Sequence, residues 1–164
     1  EMVSSFLFGS SRQLVNPAEL VNYIRAQIPM EDDKLKVELA FDRHLPNIIV
    51  NKVRVARAII NLLENAIVAP YRHAYKHIVI EVKAVAEGLR ITISDNGIGI
   101  TASDMSRIWE IGYSTGHTTG LGLPFAKQII EENDGTLQID SVQNKGTVVT
   151  VLFPAVKEEQ NETN

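Results

Sequence analysis

Cysteine is absent from the chain. Disulfides, thiolate zinc sites and cysteine nucleophiles are thereby excluded. No apolar run approaches the ~20 residues that a membrane helix requires. The opening Met2-Val3-Ser4-Ser5-Phe6-Leu7-Phe8 is too short for a secretory signal and has no basic residue before it. Positive charge is not in excess: 16 Lys and Arg stand against 20 Asp and Glu, a net charge of −4. That balance argues against a nucleic-acid module held by bulk charge. The G-x-x-x-x-G-K-[ST] phosphate loop and the G-x-G-x-x-G dinucleotide pattern are both missing, as are internal repeats and low-complexity runs.

What is present suits one domain. The chain has 164 residues, 45% of them hydrophobic, and a chain of this size buries roughly 70% of its unfolded surface without a staple. It opens on Glu1 rather than Met, so residues 1–15 read as a lead-in from a longer protein, expected to hold a dimerisation and phosphoacceptor region upstream. The folded unit is expected over 16–155, with a polar tail over 156–164.

Asn16 is placed to cap a helix with Pro17 at its first position, and Leu20, Val21, Ile24 and Ile28 keep helical spacing up to Pro29. Residues 36–41 alternate as a half-buried strand, and residues 48–50 form a short extended piece. The longest helical pattern has a stripe of Val53, Ile60, Leu63 and Ile67, widened by Ala56, Ile59 and Ala66, and stops before Pro70. Residues 78–82 and 89–94 read as paired strands. A short helix is expected over 103–109, and a longer one ends near Gly135, which suits a left-handed helix stop. Two strands, 136–142 and 147–153, close the unit around an Asn144-Lys145-Gly146 turn. Helices interspersed with strand hairpins predict an α+β fold, a two-layer sandwich whose mixed sheet is covered on one face.

Three features carry chemistry. Asn61 and Asn65, four apart in Asn61-Leu62-Leu63-Glu64-Asn65-Ala66, share one helix face. A carboxamide oxygen there serves either as a hard neutral ligand for magnesium or as a hydrogen-bond partner for a neighbouring loop. Asp95-Asn96-Gly97-Ile98-Gly99 follows a strand. Its carboxylate suits an exocyclic amine, and its glycines suit close approach of a flat ligand or a plain turn. Gly116-His117-Thr118-Thr119-Gly120-Leu121-Gly122-Leu123 runs into a helix, where free N–H groups make an anion site or an ordinary cap.

Their order makes the set specific. It resembles the N, G1, F and G2 boxes of the catalytic, ATP-binding domain of sensor histidine kinases. These belong to the superfamily, with its Bergerat fold, shared with DNA gyrase, the ninety-kilodalton heat-shock chaperone and the MutL mismatch-repair protein. Residues 61–66 resemble the N box, 95–99 the G1 box, Ile108-Trp109-Glu110 the start of the F box and 119–123 the G2 box; Gly146-Thr147 resembles the closing glycine element. The resemblance implies that Asn65 holds magnesium and that Asp95 accepts from the adenine amine. Gly97, Gly99 and Ile100 would line the base pocket, with Thr147 on its floor. Residues 112–122 would form a lid, in which Ser114, Thr119, Gly120, Leu121 and Gly122 approach ATP.

Asn61 stands where hydrolysing members carry glutamate, and an amide cannot take a proton from water. The implied reaction is therefore transfer of the ATP γ-phosphoryl group to a histidine, with Asn61, Asn65 and Glu64 as catalytic candidates. Glu64 sits about 100° around the helix from Asn65 and is read foremost as a surface charge. None of His44, His73, His77 and His117 has the H-[DE]-x-x-x-P setting of the acceptor. His73 and His77 would share a helical face but have no third metal ligand. Val68, Gly116 and Thr118 replace residues that are often basic or glycine in the family. Phosphate charge would fall to magnesium, amides, His117 and Arg72. The implied partners are a dimerisation hairpin bearing the acceptor histidine in the same protein, a response regulator and a second copy in a homodimer. Nucleic acid and membrane contact are not expected of this cytoplasmic segment. Alternatives are a non-catalytic nucleotide-sensing module and a superfamily ATPase.

Overall fold

A computed structural model describes residues 11–29, 31–112 and 122–156. The chain order is β1 (Gln13–Val15), α1 (Pro17–Gln27), β2 (Leu35–Phe41), β3 (Ile48–Val50), α2 (Lys52–Val68), β4 (Lys76–Val85), β5 (Gly88–Asp95), α3 (Ala102–Met105), α4 (Gly122–Glu132), β6 (Thr136–Val142) and β7 (Gly146–Pro154). Five strands form one sheet in the order β2-β4-β5-β7-β6, and β1 and β3 form a separate antiparallel ribbon. Within the sheet β2 and β4 run parallel; the remaining pairs are antiparallel. Parallel neighbours require a long crossover, and β3 with α2 supplies it. The fold is α+β, with helices against one face of a mixed sheet, as the alternation of hairpins and helices predicts.

The sheet contributes Ile78, Ile80 and Val82 from β4 and Leu89, Ile91 and Ile93 from β5 to the core. Against them pack Leu20, Val21 and Ile24 of α1, Val55, Ile59 and Leu62 of α2, and Ala126, Ile129 and Ile130 of α4. Each fully buried side chain of this size contributes about 1.5–3 kcal/mol, so α2, with eight buried residues, is the spine of the layer.

Asn16 caps α1 as predicted, its side chain accepting from the Ala18 N–H with Pro17 at the first position. The segment 13–15 is a strand, and Val15 is buried in the core. Three expectations are corrected. Val53 lies outside the buried stripe of α2, 78% exposed. Ile60, which is in phase with Val53, is buried; Val53 sits in the first turn of α2, before the buried stretch that begins at Val55. The helix over 103–109 is only the single turn Ala102–Met105. Beyond it the chain closes three-residue turns, with Arg107 N–H donating to Asp104 O and Glu110 N–H to Arg107 O. The left-handed stop of α4 falls on Asp134, φ 63°, not on Gly135. Asp134 N–H donates to Glu131 O and Gly135 N–H to Ile130 O, a Schellman closure. Gly135 is needed for space: a Cβ there would come within 2.7 Å of the Phe153 ring.

Candidate functional site

The C-terminal half of α2, the ends of β5 and β7, the segment after β5 and the start of α4 enclose a cavity of ≈ 280 Å³. Of the predicted site residues, Asn65, Asp95, Gly99, Ile100 and Thr147 line it. Its walls are otherwise mainly apolar, with Leu62, Ala66, Ile98, Ile108, Ile139 and Val149 among them. Asp95 ends β5 opposite Thr147 of β7. Burial pushes its carboxyl above the ordinary carboxylate value, opposed by hydrogen bonds from the Gly97 and Thr147 amides and by the charge of Lys76. The Gly97 N–H donates to Asp95 Oδ1 at 2.8 Å. Gly97 thus supports the acid.

The segment after Asp95 is held from three sides. Asn96 Oδ1 accepts from His77 N–H and its Nδ2 donates to Tyr75 O. Ile98 N–H donates to Pro70 O, just past α2, and Ile98 O accepts from Asn144 N–H. Gly99 has φ +77°, and a Cβ there would lie 2.4 Å from Val142 O, so this close approach requires glycine.

Ser141 Oγ accepts from the Ile100 N–H at 2.8 Å and donates to Gly146 O at 3.1 Å. With the Ser141 proton so used, Thr147 Oγ1, 2.9 Å away, is the donor to Ser141. The Thr147 hydroxyl therefore presents lone pairs elsewhere, on a residue that lines the cavity. Gly146, at φ +137°, lies against Asp95 O, where a Cβ would be 2.1 Å away.

At the other end Asn65 approaches the first residue of α4: a Cβ on Gly122 would be 3.2 Å from Asn65 Nδ2. Asn65 thus faces a helix N-terminus, where N–H groups and the helix dipole favour negative charge. Asn61 is half-buried and Glu64 exposed; neither is among the cavity-lining residues. Ser114, Thr119, Gly120 and Leu121, with His117, lie outside the described residues.

The sequence reading missed Lys76, Ser141, Thr101 and Asp104. Lys76 is buried at 2% exposure. The signal was available, because Lys76 is in phase with the inward residues Ile78, Ile80 and Val82 of β4. Ser141 likewise shares its strand face with Leu137 and Ile139. Thr101 and Asp104 line the cavity from the short helix α3, and Thr101 caps it. His77 lies in a strand, not on a helix with His73, and its Nε2 is 3.4 Å from Glu38. Among the described residues no three His, Asp or Glu gather as a metal cluster, and no helix is long and apolar enough to cross a membrane.

The cavity thus has a half-buried acid at one end and a carboxamide beside a helix start at the other. A family model described as histidine kinase-, DNA gyrase B-, and HSP90-like ATPase matches residues 50–157. The sensor histidine kinase ZraS of Escherichia coli (strain K12) is 29% identical over 145 residues, 87% of this chain and 31% of that protein. Sporulation kinase B of Bacillus subtilis (strain 168) is 39% identical over 103 residues, 62% of this chain and 24% of that protein. The chain thus spans a third or less of these relatives. Among solved structures, a mycobacterial sensor histidine kinase, MprB, superposes with a TM-score of 0.74 at 21% identity, covering 88% of this chain and 97% of that one. The catalytic domain of the histidine kinase ThkA superposes equally, TM-score 0.74 at 22% identity, covering 88% and 96%. The chain belongs to the histidine kinase-, DNA gyrase B- and HSP90-like ATPase family.

Proposed function

We propose that the chain is the ATP-binding catalytic domain of a two-component sensor histidine kinase. It would pass the γ-phosphoryl group of ATP to a histidine on a dimerisation hairpin of the same protein, from which a response regulator takes it. The observation that carries this reading is the pairing of Asp95 and Asn65 across one cavity. The cavity is apolar enough for a purine, and the half-buried Asp95 carboxylate suits the amino edge of adenine. Gly99, Ile100 and Thr147 would contact the base, with Gly97 holding the acid.

Asn65 Oδ1 would hold magnesium beside the start of α4, and the bound ion would compensate phosphate charge. The Gly122 end of α4, with Ser114, Thr119, Gly120 and Leu121 before it, would meet the phosphates. Phosphoryl transfer asks for positioning and charge compensation rather than a strong base, and Asn61 offers an amide where a hydrolase needs a carboxylate. Glu64, exposed beside Asn65 in sequence, is the residue of this group that would face an incoming acceptor. The domain would work at the cytoplasmic side of its parent protein, as one half of a homodimer.

The test is phosphotransfer. Radiolabelled ATP, magnesium, this domain and a separately purified histidine hairpin from the same protein should give label on the hairpin that is stable to base and labile to acid. Steady-state release of inorganic phosphate by the domain alone, with no label on the hairpin, would overturn the kinase reading in favour of an ATPase.

A further inference from the structure

Lys76 opens β4 and is among the largest fully buried side chains of the protein. A lysine is rarely buried unless paired. Its Nζ donates to Ala66 O at 2.9 Å and to Ala69 O, one carbonyl in the last turn of α2 and one on its C-cap residue, which have no partner within the helix. It lies 5.3 Å from the centroid of the Tyr71 ring. A positive charge there also complements the negative end of the helix dipole. Ala66, Ala69 and Pro70 line the cavity, so the bonds that Lys76 makes fix its wall. Asp95 is the cross-strand partner of Ile78, two residues along β4 from Lys76 on the same face, so the ammonium and the carboxyl lie on neighbouring strands and attract.

We propose that Lys76 is a positioning residue for base recognition: it locks the last turn of α2 as a wall of the cavity and supplies the buried positive charge that keeps Asp95 an acceptor for an exocyclic amine. This deepens the proposed ATP site and rests on it. Burial favours the neutral form of Asp95, and Lys76 opposes that tendency. Burial acts on Lys76 as well, lowering its own pKa, with Asp95 raising it. Asp104, on α3, is a further acid lining this cavity, and His77 is paired with Glu38. Without Lys76 the Asp95 carboxyl would hold its proton to higher pH. A neutral carboxylic acid both donates and accepts, so it would no longer distinguish an amino group from a carbonyl oxygen on the purine.

The experiment compares ATP with inosine triphosphate, which carries a carbonyl oxygen in place of the 6-amino group. Affinities of wild type and Lys76→Met are measured by calorimetry between pH 6 and 8, with thermal melts to confirm that each variant is folded at the assay temperature. The ratio of the two affinities cancels titration of the phosphates. Wild type should prefer ATP, losing that preference only toward the acid end. In Lys76→Met the ratio should fall, and its pH dependence should move to higher pH. A lysine that only capped α2 would lower the melting temperature and leave both the ratio and its pH midpoint unchanged, which would overturn the inference. If instead wild type shows no preference for ATP, and Asp95→Asn binds ATP as wild type does, the adenine reading itself fails.

Discussion

The two ends of the cavity are built by different means. At the Asp95 end, every turn is braced by a residue distant in sequence. Asn96 is tied to β4, Ile98 to Pro70 and to Asn144, Ile100 to Ser141, and Gly146 is pressed against Asp95 O. At the Asn65 end, the described wall is one close approach between two helices, with Gly122 of α4 against the Asn65 carboxamide. The Asp95 end, made this way, is part of the fold. The Asn65 end, made this way, is a contact that can be altered while the fold stands. Substitutions at the first end should therefore change stability and binding together, and substitutions at the second should change binding alone.

The largest expected effect is that of Asp95→Asn. The variant should lose about 30–100-fold in ATP affinity, the ~2–3 kcal/mol typical of a hydrogen bond to a charged group, measured by calorimetry with magnesium present. The stability effect runs oppositely. Burial raises the Asp95 pKa above its ordinary value. Between that ordinary value and the raised one, the folded chain holds a proton that the unfolded chain has released. Ionised Asp95 thus costs stability above the raised value, and the cost shrinks as pH falls through that value and is gone below the ordinary one. Asparagine has no such cost, so denaturation should show wild type gaining on Asp95→Asn as pH is lowered from neutrality toward the ordinary carboxylate range. Acid and binding roles at one residue would then be seen with opposite signs. A variant that binds ATP normally would break the comparison at its first term.

Next in size is Gly146→Ala. Its Cβ would lie 2.1 Å from Asp95 O at φ +137°, so the β5–β7 pairing must shift. A cost of about 2 kcal/mol or more is expected, with a fall in melting temperature on the order of 5–10 °C and weaker ATP binding in step. Gly112→Ala makes the control. It has φ +86° but nothing among the described residues within 4 Å of a Cβ, so the backbone term of about 1–2 kcal/mol is the expected cost.

Much of this was legible in the sequence, and the legible part was periodic or local. The alternation in β5 put Leu89, Ile91 and Ile93 inward, and Asn16-Pro17 announced a helix start. The set of motifs, taken in order, put Asn65, Asp95, Gly99, Ile100 and Thr147 at one site, where the structure gathers them. What escaped was set by contacts across the chain. Val53 fits the helical stripe and shares the phase of the buried Ile60, but it lies in the first turn of α2, ahead of the buried stretch. Gly135 follows a helix as a stop signal does, yet Asp134 takes the left-handed turn and Gly135 answers to the Phe153 ring. Lys76 keeps the inward phase of β4, but the carbonyls that receive its charge lie across the chain, at the end of α2. A single sequence states which residues alternate; it does not state which carbonyls end in the core.

The smallest effect on the fold is expected from Gly122→Ala, which sharpens the comparison at its other end. Gly122 has no left-handed backbone requirement, and the nearest atoms to an added Cβ belong to the Asn65 side chain, at 3.2 and 3.4 Å. Alanine is also about 1 kcal/mol better than glycine within a helix, so at this terminal position the melting temperature should hold or rise slightly. The added methyl would push the carboxamide away from the start of α4. If Asn65 holds magnesium, the increment in ATP affinity that magnesium provides should shrink several-fold, while affinity measured in a chelator stays within about twofold of wild type. Asn65→Ala should abolish the same increment. A Gly122→Ala variant with an intact magnesium increment would separate Asn65 from the metal, and a variant that melted far lower would show that this end, too, is part of the frame.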